Sequence, residues 1–545
     1  MELGEEELLG VMIDCSRNAV MSCTTLKEYI GTLSRMGYDT VMLYTEDTFE
    51  VDDEPYFGYM RGRYTKEEIK EIDAYCKAQG MELVPCIQTL AHCNAIFQVT
   101  DVYDFIRDCD DILLIEEERT YELLENIFAT LSKCFSSKKI HIGMDEAEKV
   151  GLGKYLRKHG YTERFDLINR HLHKVCAIAE KYGFNPMIWS DMFCRLATGN
   201  ADYYAGGDAG AIREKANLPE NVTLVYWDYY SNDYEHYVDM IRTNKAFDRP
   251  VGFAGGAWTW KGFMPDNVRS LENTAAAVKA CNDEGVEDVL ITMWGDDGAE
   301  CSRFSVLPSL FYTVQIKCGN TDMEDIKCKF YEFAGVKWDD VLLLDKLNAL
   351  GGKHKYNPSK YLLYNDVFTG LNDYRVTMED GEYYRQLTHE FENVLEHLRK
   401  QQNSTFLTEH FLRIFETAEA LCKLLEKKAT LGIRTREAYA NGDLTSLRLL
   451  AEQEYCETIK RLEEFYNAFW RQWKTENKPF GFDIQDFRLG GMARRLESCR
   501  QRLLSYANGE IEGIAELETE LLEGTGLTQW RNIATPNVVS HHVFV

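Results

Sequence analysis

The sequence contains no apolar run approaching the ~20 residues that a membrane-spanning helix requires. It has no basic opening segment either. "MELGEEELLGVMIDCSRNAV" begins on acids, and its apolar stretch is short and interrupted, so no export signal is expected. Positive charge is scarce: 61 Lys and Arg stand against 89 Asp and Glu, a formal net charge of −28. An acidic surface disfavours nucleic acid or an anionic membrane as a partner and favours a soluble chain. None of the sixteen cysteines forms a CxxC pair. They are scattered, many of them on strand or helix patterns (Cys15, Cys86, Cys176, Cys422), which argues against a disulfide framework or a zinc site. Reduced core thiols and a cytoplasmic location are expected. No fixed-period repeat or low-complexity segment is found.

What is present is enough apolar material for large cores. Hydrophobic residues make up 45% and aromatics 12% of 545 residues, which argues for two or three folded domains rather than disorder. From residue 11 to about 300, eight β-rich runs alternate with helical patterns. They are "VMIDCSR" (11–17), "DTVMLYTED" (39–47), "MELVPCIQTLAH" (81–92), "KIHIGMDE" (139–146), "NPMIWSD" (185–191), "VTLVYWDYY" (222–230), "PVGFAGGAWTW" (250–260) and "EDVLITMWGDD" (287–297). Eight apolar strands with helical crossovers predict an α/β fold, a (β/α)8 TIM barrel, over 1–318. After about 320 strand runs give way to long amphipathic patterns, which predict an all-helical C-terminal domain over 319–545.

Nearly every run ends in polar or aromatic residues, where such a barrel carries its chemistry: Asp14 to Arg17, Glu46–Asp47, His92, Asp145–Glu146, Trp189 to Asp191, Trp227 to Tyr229, Trp258 to Trp260, and Trp294 to Asp297. The adjacent acids Asp145 and Glu146 stand out. They either cap the next helix or share one cavity, both reaching it because the chain bends at a strand end. Two neighbours could not flank a glycosidic carbon ~5–5.5 Å apart, as a protein nucleophile and an acid do. One could protonate a leaving oxygen while the other acts beside it. That constraint favours chemistry in which the sugar supplies the attacking atom.

Trp189, Trp227, Trp258, Trp260 and Trp294 cluster at the late strand ends, with Trp338 just outside. Any one could be plain core; four strand ends together suit the apolar faces of a sugar and an acetamide methyl. Tyr229 shares strand parity with Trp227 and could donate to a carbonyl. Arg17 reads equally as a salt-bridge partner or a fork for vicinal hydroxyls. Asp296 could accept from hydroxyls. Asp47, His92 and Glu146 could form a carboxylate–imidazole–carboxylate relay, or His92 could be a structural buried imidazole.

"HIGMDE" resembles the H-x-G-x-D-E signature of family 20 glycoside hydrolases, the β-N-acetylhexosaminidases. "MIWSDM" and "MWGDD" follow at similar spacing. "HIGMDEAEKVGLGKYLRKHG" and "KPFGFDIQDFRLGGMARRLES" are similar to a bacterial subgroup in which a helical domain directly follows the barrel. The resemblance spans nearly the whole chain. It implies that Asp145 orients the 2-acetamido group, whose oxygen attacks the anomeric carbon to give an oxazolinium intermediate with net retention. It implies that Glu146 is the general acid and then the base, and that Tyr229 holds the acetamido oxygen. Trp189, Trp227 and Trp294 would box the methyl and stack the ring, with Trp260 able to replace one of them. Arg17 and Asp296 would grip ring hydroxyls. The sequence also departs from the common pattern. It starts almost at strand one where many relatives have a preceding α/β domain, Tyr226 or Tyr230 could take the place of Tyr229, and Met144 stands where many relatives have glycine.

The expectation is therefore an exo-acting retaining β-N-acetylhexosaminidase acting on oligosaccharides or glycoconjugates with a terminal β-linked GlcNAc or GalNAc, with no cofactor and no metal. The alternatives are a retaining glycosidase using a distant acid (Glu46 or Asp296) as nucleophile, and a sugar-binding barrel without catalysis. A metalloenzyme barrel is poorly supported, since only His92 and His141 lie at strand ends. Two roles stay open for the helical domain: a homodimer interface, or closure over the barrel mouth with "NKPFGFD" (477–483) as the candidate loop.

Overall fold

The computed structural model of the chain describes residues 8–199, 203–204, 206–215, 217–260, 262–296, 298–348, 357–401 and 405–522. The acidic start (1–7), Asp297 and the end of the expected helical domain (523–545) lie outside the described residues. Eight strands form: β1 (Leu9–Asp14), β2 (Thr40–Tyr44), β3 (Glu82–Cys86), β4 (Lys139–His141), β5 (Asn185–Trp189), β6 (Thr223–Trp227), β7 (Val251–Gly256) and β8 (Val289–Met293). Each pairs in parallel with the next, and β8 pairs with β1 to close the barrel.

The period-2 pattern of the strands separates two cores. Val11 and Ile13 of β1, with Val41 and Leu43 of β2, join the large core beneath the surrounding helices. The alternate residues Met12, Met42 and Tyr44 enter a second cluster with Cys86, Trp189 and Ala254, which fills the barrel. Trp227 and Trp294 pack on that cluster and floor the mouth. The strands are shorter than the apolar runs. In "MELVPCIQTLAH" only residues 82–86 pair as a strand, and the remainder carries Gln88 against Asp145 and His92 onto the rim.

The crossover helices begin and end on local signals. Ser22 caps Cys23–Met36 by accepting from the Thr25 N–H, and Gly37 closes that helix at φ 110°. Thr65 and Glu68 form a capping box on Lys66–Ala78. After β8 the described chain is helical. Asp380–Lys400 and Phe406–Lys428 pack against each other, and Tyr455–Glu476 and Asp483–Ala507 follow. One pattern that reads as continuous, 444–476, is interrupted by a wider π-type turn at Leu450–Glu454.

The helical region seats on the mouth side of the barrel. Met21, just after β1, bridges Asn477, and the Ser22 N–H donates to the Glu476 carbonyl at 3.0 Å. After β7, Phe263 meets Phe465 and Phe469 edge-on. Residues 477–483 thus lie along the β1 loop that carries Arg17.

Candidate active site

The mouth opens onto a cavity of about 300 Å³, lined by Arg17, Tyr44, His92, Asp145, Glu146, Trp189, Trp227, Tyr229, Tyr230, Trp260, Trp294 and Asp296. It joins eleven residues from widely separated strand ends with Tyr44, which reaches it from within the barrel. Of the residues singled out in the sequence, Asp47, Trp258 and Tyr226 are not among those that line it.

The chain geometry explains how neighbouring acids reach one cavity. β4 ends at His141, and Gly143, Met144 and Glu146 then take left-handed backbone angles of φ 71°, 75° and 50°. A Cβ on Gly143 would lie 2.0 Å from Gln88 Oε1, so glycine is required there. Met144 occupies a conformation that favours glycine, yet its buried side chain packs in the core. Glu46 and His92 are left-handed as well, at φ 45° and 56°. Each such non-glycine residue costs about 1–2 kcal/mol, a strain concentrated where the rim must aim side chains inward. The acids do not cap the following helix, which begins at Lys154 behind Gly153.

His92 joins the two acids. Its Nε2 lies 3.1 Å from Asp145 Oδ2 and 3.6 Å from Glu146 Oε2, and its Nδ1 is 3.8 Å from Asp111 Oδ2. The relay expected from Asp47 through His92 to Glu146 is corrected here. Asp47 turns back to pair with Arg61 at 3.0 Å, and Asp111 takes the position behind the imidazole. Burial opposes charge on His92, but Asp145 outweighs it and raises the pKa to about 10. Burial likewise opposes ionisation of Asp145, and is outweighed by the His92 charge and by hydrogen bonds from His92 and Gln88, so its pKa is lowered. Glu146 moves the other way. Burial raises its pKa, and the His92 charge only partly offsets that. Two adjacent carboxyls therefore have their pKa values pushed apart, one held ionised and one favouring the proton.

Gln88 Nε2 donates to Asp145 Oδ1 at 2.7 Å and to the Tyr44 hydroxyl at 2.9 Å. Tyr44 donates to Glu46 at 3.0 Å, and Glu46 pairs with Arg17 at 3.2 Å. Arg17 is thus a salt-bridge partner that also lines the cavity. Burial lowers its pKa, but Glu46, Tyr44, Asp14 and Asp296 together raise it. Asp191 accepts from the Glu146 backbone N–H at 3.1 Å and from Trp227 Nε1–H at 3.2 Å. Burial, followed by the charge of Asp145, raises its pKa to about 8.

The aromatic wall follows strand parity. Trp189 and Trp294 pack at 6.1 Å between centroids, and Trp227 stacks on Tyr229 at 5.3 Å. Trp258 is a supporting residue: it stacks on Trp260 at 4.3 Å and its indole donates to the Tyr229 carbonyl at 3.0 Å. Tyr226 faces outward and packs on Phe253, whereas Tyr229 and Tyr230 both line the cavity. Trp338 packs on Phe330 in the helical region. His141 is a core residue: its ring packs on Trp189 at 4.1 Å and burial lowers its pKa to about 3. Among the described residues no group of three or more His, Cys, Asp or Glu is placed to hold a metal ion.

Sequence reasoning missed Gln88, Tyr44, Asp111 and the role of Asp191. Tyr44 was reachable by parity from Met42. Gln88, Asp111 and Asp191 act through loop geometry that no periodicity encodes.

Comparison with known proteins places this site in context. Residues 9–245 match the family described as "Glycosyl hydrolase family 20, catalytic domain", and residues 339–532 match "Glycoside Hydrolase 20C C-terminal domain". "Hexosaminidase D" of Homo sapiens is 22% identical over 343 residues, covering 57% of this chain and 66% of its own length. "Beta-hexosaminidase" of Akkermansia muciniphila is 25% identical over 164 residues, covering 27% of this chain and 32% of its own length. The chain therefore spans from about a third to just under two thirds of these two curated relatives. A solved structure of an exo-β-N-acetylglucosaminidase from Vibrio harveyi is similar at a TM-score of 0.47 and 14% identity, covering 62% of this chain and 58% of that one.

Proposed function

The chain belongs to glycoside hydrolase family 20, and from that premise we propose that it is an exo-acting, retaining β-N-acetylhexosaminidase. It removes a terminal β-linked GlcNAc or GalNAc through an oxazolinium intermediate. The observation that carries this reading is the shared contact of His92 with Asp145 and Glu146; with it the Asp145 pKa is lowered, while burial raises that of Glu146.

In this reading the ionised Asp145 accepts from the acetamide N–H and steers the carbonyl oxygen onto the anomeric carbon. Its interaction strengthens as positive charge develops on the amide, so it acts mainly in the transition state. Glu146 delivers its proton to the departing oxygen and then takes one from the incoming water. The Tyr229 hydroxyl, whose pKa burial raises far above the ordinary tyrosine value, stays a donor for the acetamido oxygen. Trp189, Trp227 and Trp294 enclose the methyl and the ring face, with Trp260 beside them. Arg17 and Asp296 take ring hydroxyls. Tyr230, the most exposed of the lining rings, meets whatever lies beyond the bond to be cut. A cavity of about 300 Å³ sits at the small end of ligand pockets, which suits one terminal sugar and supports exo action.

A protein nucleophile at Glu46 is less well supported. Glu46 is buried and engaged by Arg17 and Tyr44. We also place the enzyme in a reducing compartment, the cytoplasm, because all sixteen cysteines are unpaired; fractionation of the source cells tests this.

The deciding experiment compares an aryl β-N-acetylglucosaminide with the matching plain β-glucoside. Turnover of the first with negligible turnover of the second, net retention by NMR, and severe loss in Asp145→Asn are expected. Equal rates on both sugars, or a trapped glycosyl ester on a carboxylate, would sink the proposal.

A further inference from the structure

The cavity wall is built from two arcs. The segments from β3 to β6 supply His92, Asp145, Glu146 and Tyr229, the groups that act on the acetamide and the leaving oxygen. The loops after β8 and β1 supply Asp296 and Arg17. The helical region seats on this second arc.

After β8, Glu300 is buried among groups from the helical region. Its carboxylate contacts Lys360 Nζ directly, receives Arg488 Nη1 at 3.1 Å, and accepts from Gln485 Nε2 at 3.1 Å. The three charged side chains are only 2%, 1% and 6% exposed. Gly298 lies between this cluster and the catalytic rim. A Cβ there would meet Arg488 Nη1 at 3.0 Å and Asn18 Nδ2 at 3.5 Å. Asn18 follows Arg17 directly, and its carbonyl lies so close to Gly481 that a Cβ would come within 2.3 Å. The Lys478 N–H then donates to the Val20 carbonyl at 2.8 Å. The β8 loop is also tied inward, because the Gly295 N–H donates to Asp14 at 2.8 Å.

A buried ionic cluster is a weak source of stability, since desolvation offsets most of its attraction, but removing a partner locally is costly. Its better-attested use is to fix a register. Here the register is that of two loops, one ending four residues after Asp296 and the other beginning at Arg17.

We propose that Arg488 and Gln485, acting through Glu300, are positioning residues by which the helical region sets Asp296 and Arg17 against the ring hydroxyls of the bound sugar. The helical region thereby governs affinity and discrimination at the 4-hydroxyl, while the acid pair works from the other arc. The inference rests on the hydrolase reading. Wild-type turnover of an aryl glycoside tests that reading first, and the ratio of variant to wild type tests this one.

The test uses the full chain with Arg488→Met, Arg488→Lys and Gln485→Leu, each checked for folding by circular dichroism. Arg488→Met should raise KM for an aryl β-N-acetylglucosaminide ~10-fold or more, leave kcat within ~3-fold, and leave the pH limbs in place. The dissociation constant for GlcNAc, read by tryptophan fluorescence without turnover, should rise in parallel. The ratio of kcat/KM between GlcNAc and GalNAc substrates should change, and Arg488→Lys should recover part of the loss. Gln485→Leu, which leaves no charge unpaired, should show a smaller effect in the same direction. Wild-type KM and GlcNAc affinity in folded Arg488→Met and Gln485→Leu would overturn the proposal. So would a loss confined to kcat and the pH profile. Should both variants fail to fold, the cluster is a stability element and the proposal is withdrawn.

Discussion

The backbone N–H of Glu146 donates to the carboxylate of Asp191 at 3.1 Å, so the residue that follows β5 holds the main chain of the acid that follows β4. Burial and the neighbouring charge of Asp145 raise the Asp191 pKa to about 8. Between the ordinary aspartate value and 8, the folded state binds the proton that the unfolded state has released. Asp191 therefore contributes stability at low pH that is lost as pH rises through 8. Measured by thermal melts, the wild type should lose Tm relative to Asp191→Asn between pH 4 and pH 8. A wild-type Tm that stays level or rises relative to Asp191→Asn over that range would contradict the assignment. Asp191→Ala should also lower kcat/KM by ~10–100-fold, through loss of the hydrogen bonds that fix Glu146 and Trp227.

The pH–rate profile should be bell-shaped. Activity needs Asp145 ionised, so it fails as pH falls through the lowered pKa of that group. It needs Glu146 protonated, so it fails as pH rises through the raised pKa of that group. The His92 cation lowers both values, and His92→Gln should move both limbs to higher pH while reducing the maximum by roughly tenfold or more. A profile with unshifted limbs would remove His92 from this role.

Tyr230 should matter only when something lies beyond the scissile bond. Its ring packs edge-on to Trp258 at 5.4 Å and Tyr204 at 5.7 Å, and is more than half exposed. Tyr230→Ala should raise KM for a β-1,4-linked GlcNAc disaccharide ~5-fold, as the loss of ~1 kcal/mol of ring stacking implies, and leave that for the methyl glycoside unchanged. Equal effects on both would place the ring against the terminal sugar.

Gly481 has φ 88° and no room for a side chain against Asn18. Gly481→Ala should cost about 2 kcal/mol or more and lower Tm, since strain and overlap act together. An unchanged melt would mean that the 477–483 loop and the β1 loop part readily.

The barrel was legible because parity and crossover spacing are local properties of the sequence. Met12 and Met42 sit inward and Val11 and Val41 outward, as alternation dictates. The acid pair and most of the aromatic wall were legible for the same reason, being at strand ends. What was illegible depends on turns. Asp47 and Asp111 both sit near His92 in the chain's third dimension, but only left-handed residues such as Glu46 and His92 decide which carboxylate faces the imidazole. The π-type turn at Leu450–Glu454 was hidden because the apolar stripe continues through it.

The pairing of β1 with β8, and of the β1 loop with residues 476–478, bears on how the chain reaches its native state. During synthesis the first strand of the barrel has one open edge until residues 289–293 arrive, and its following loop waits for residues 476–478. Such distant partners make assembly slow and leave an unpaired β edge available to other chains in the interval. Refolding yield should therefore fall with protein concentration more steeply than the stability of the finished molecule would suggest.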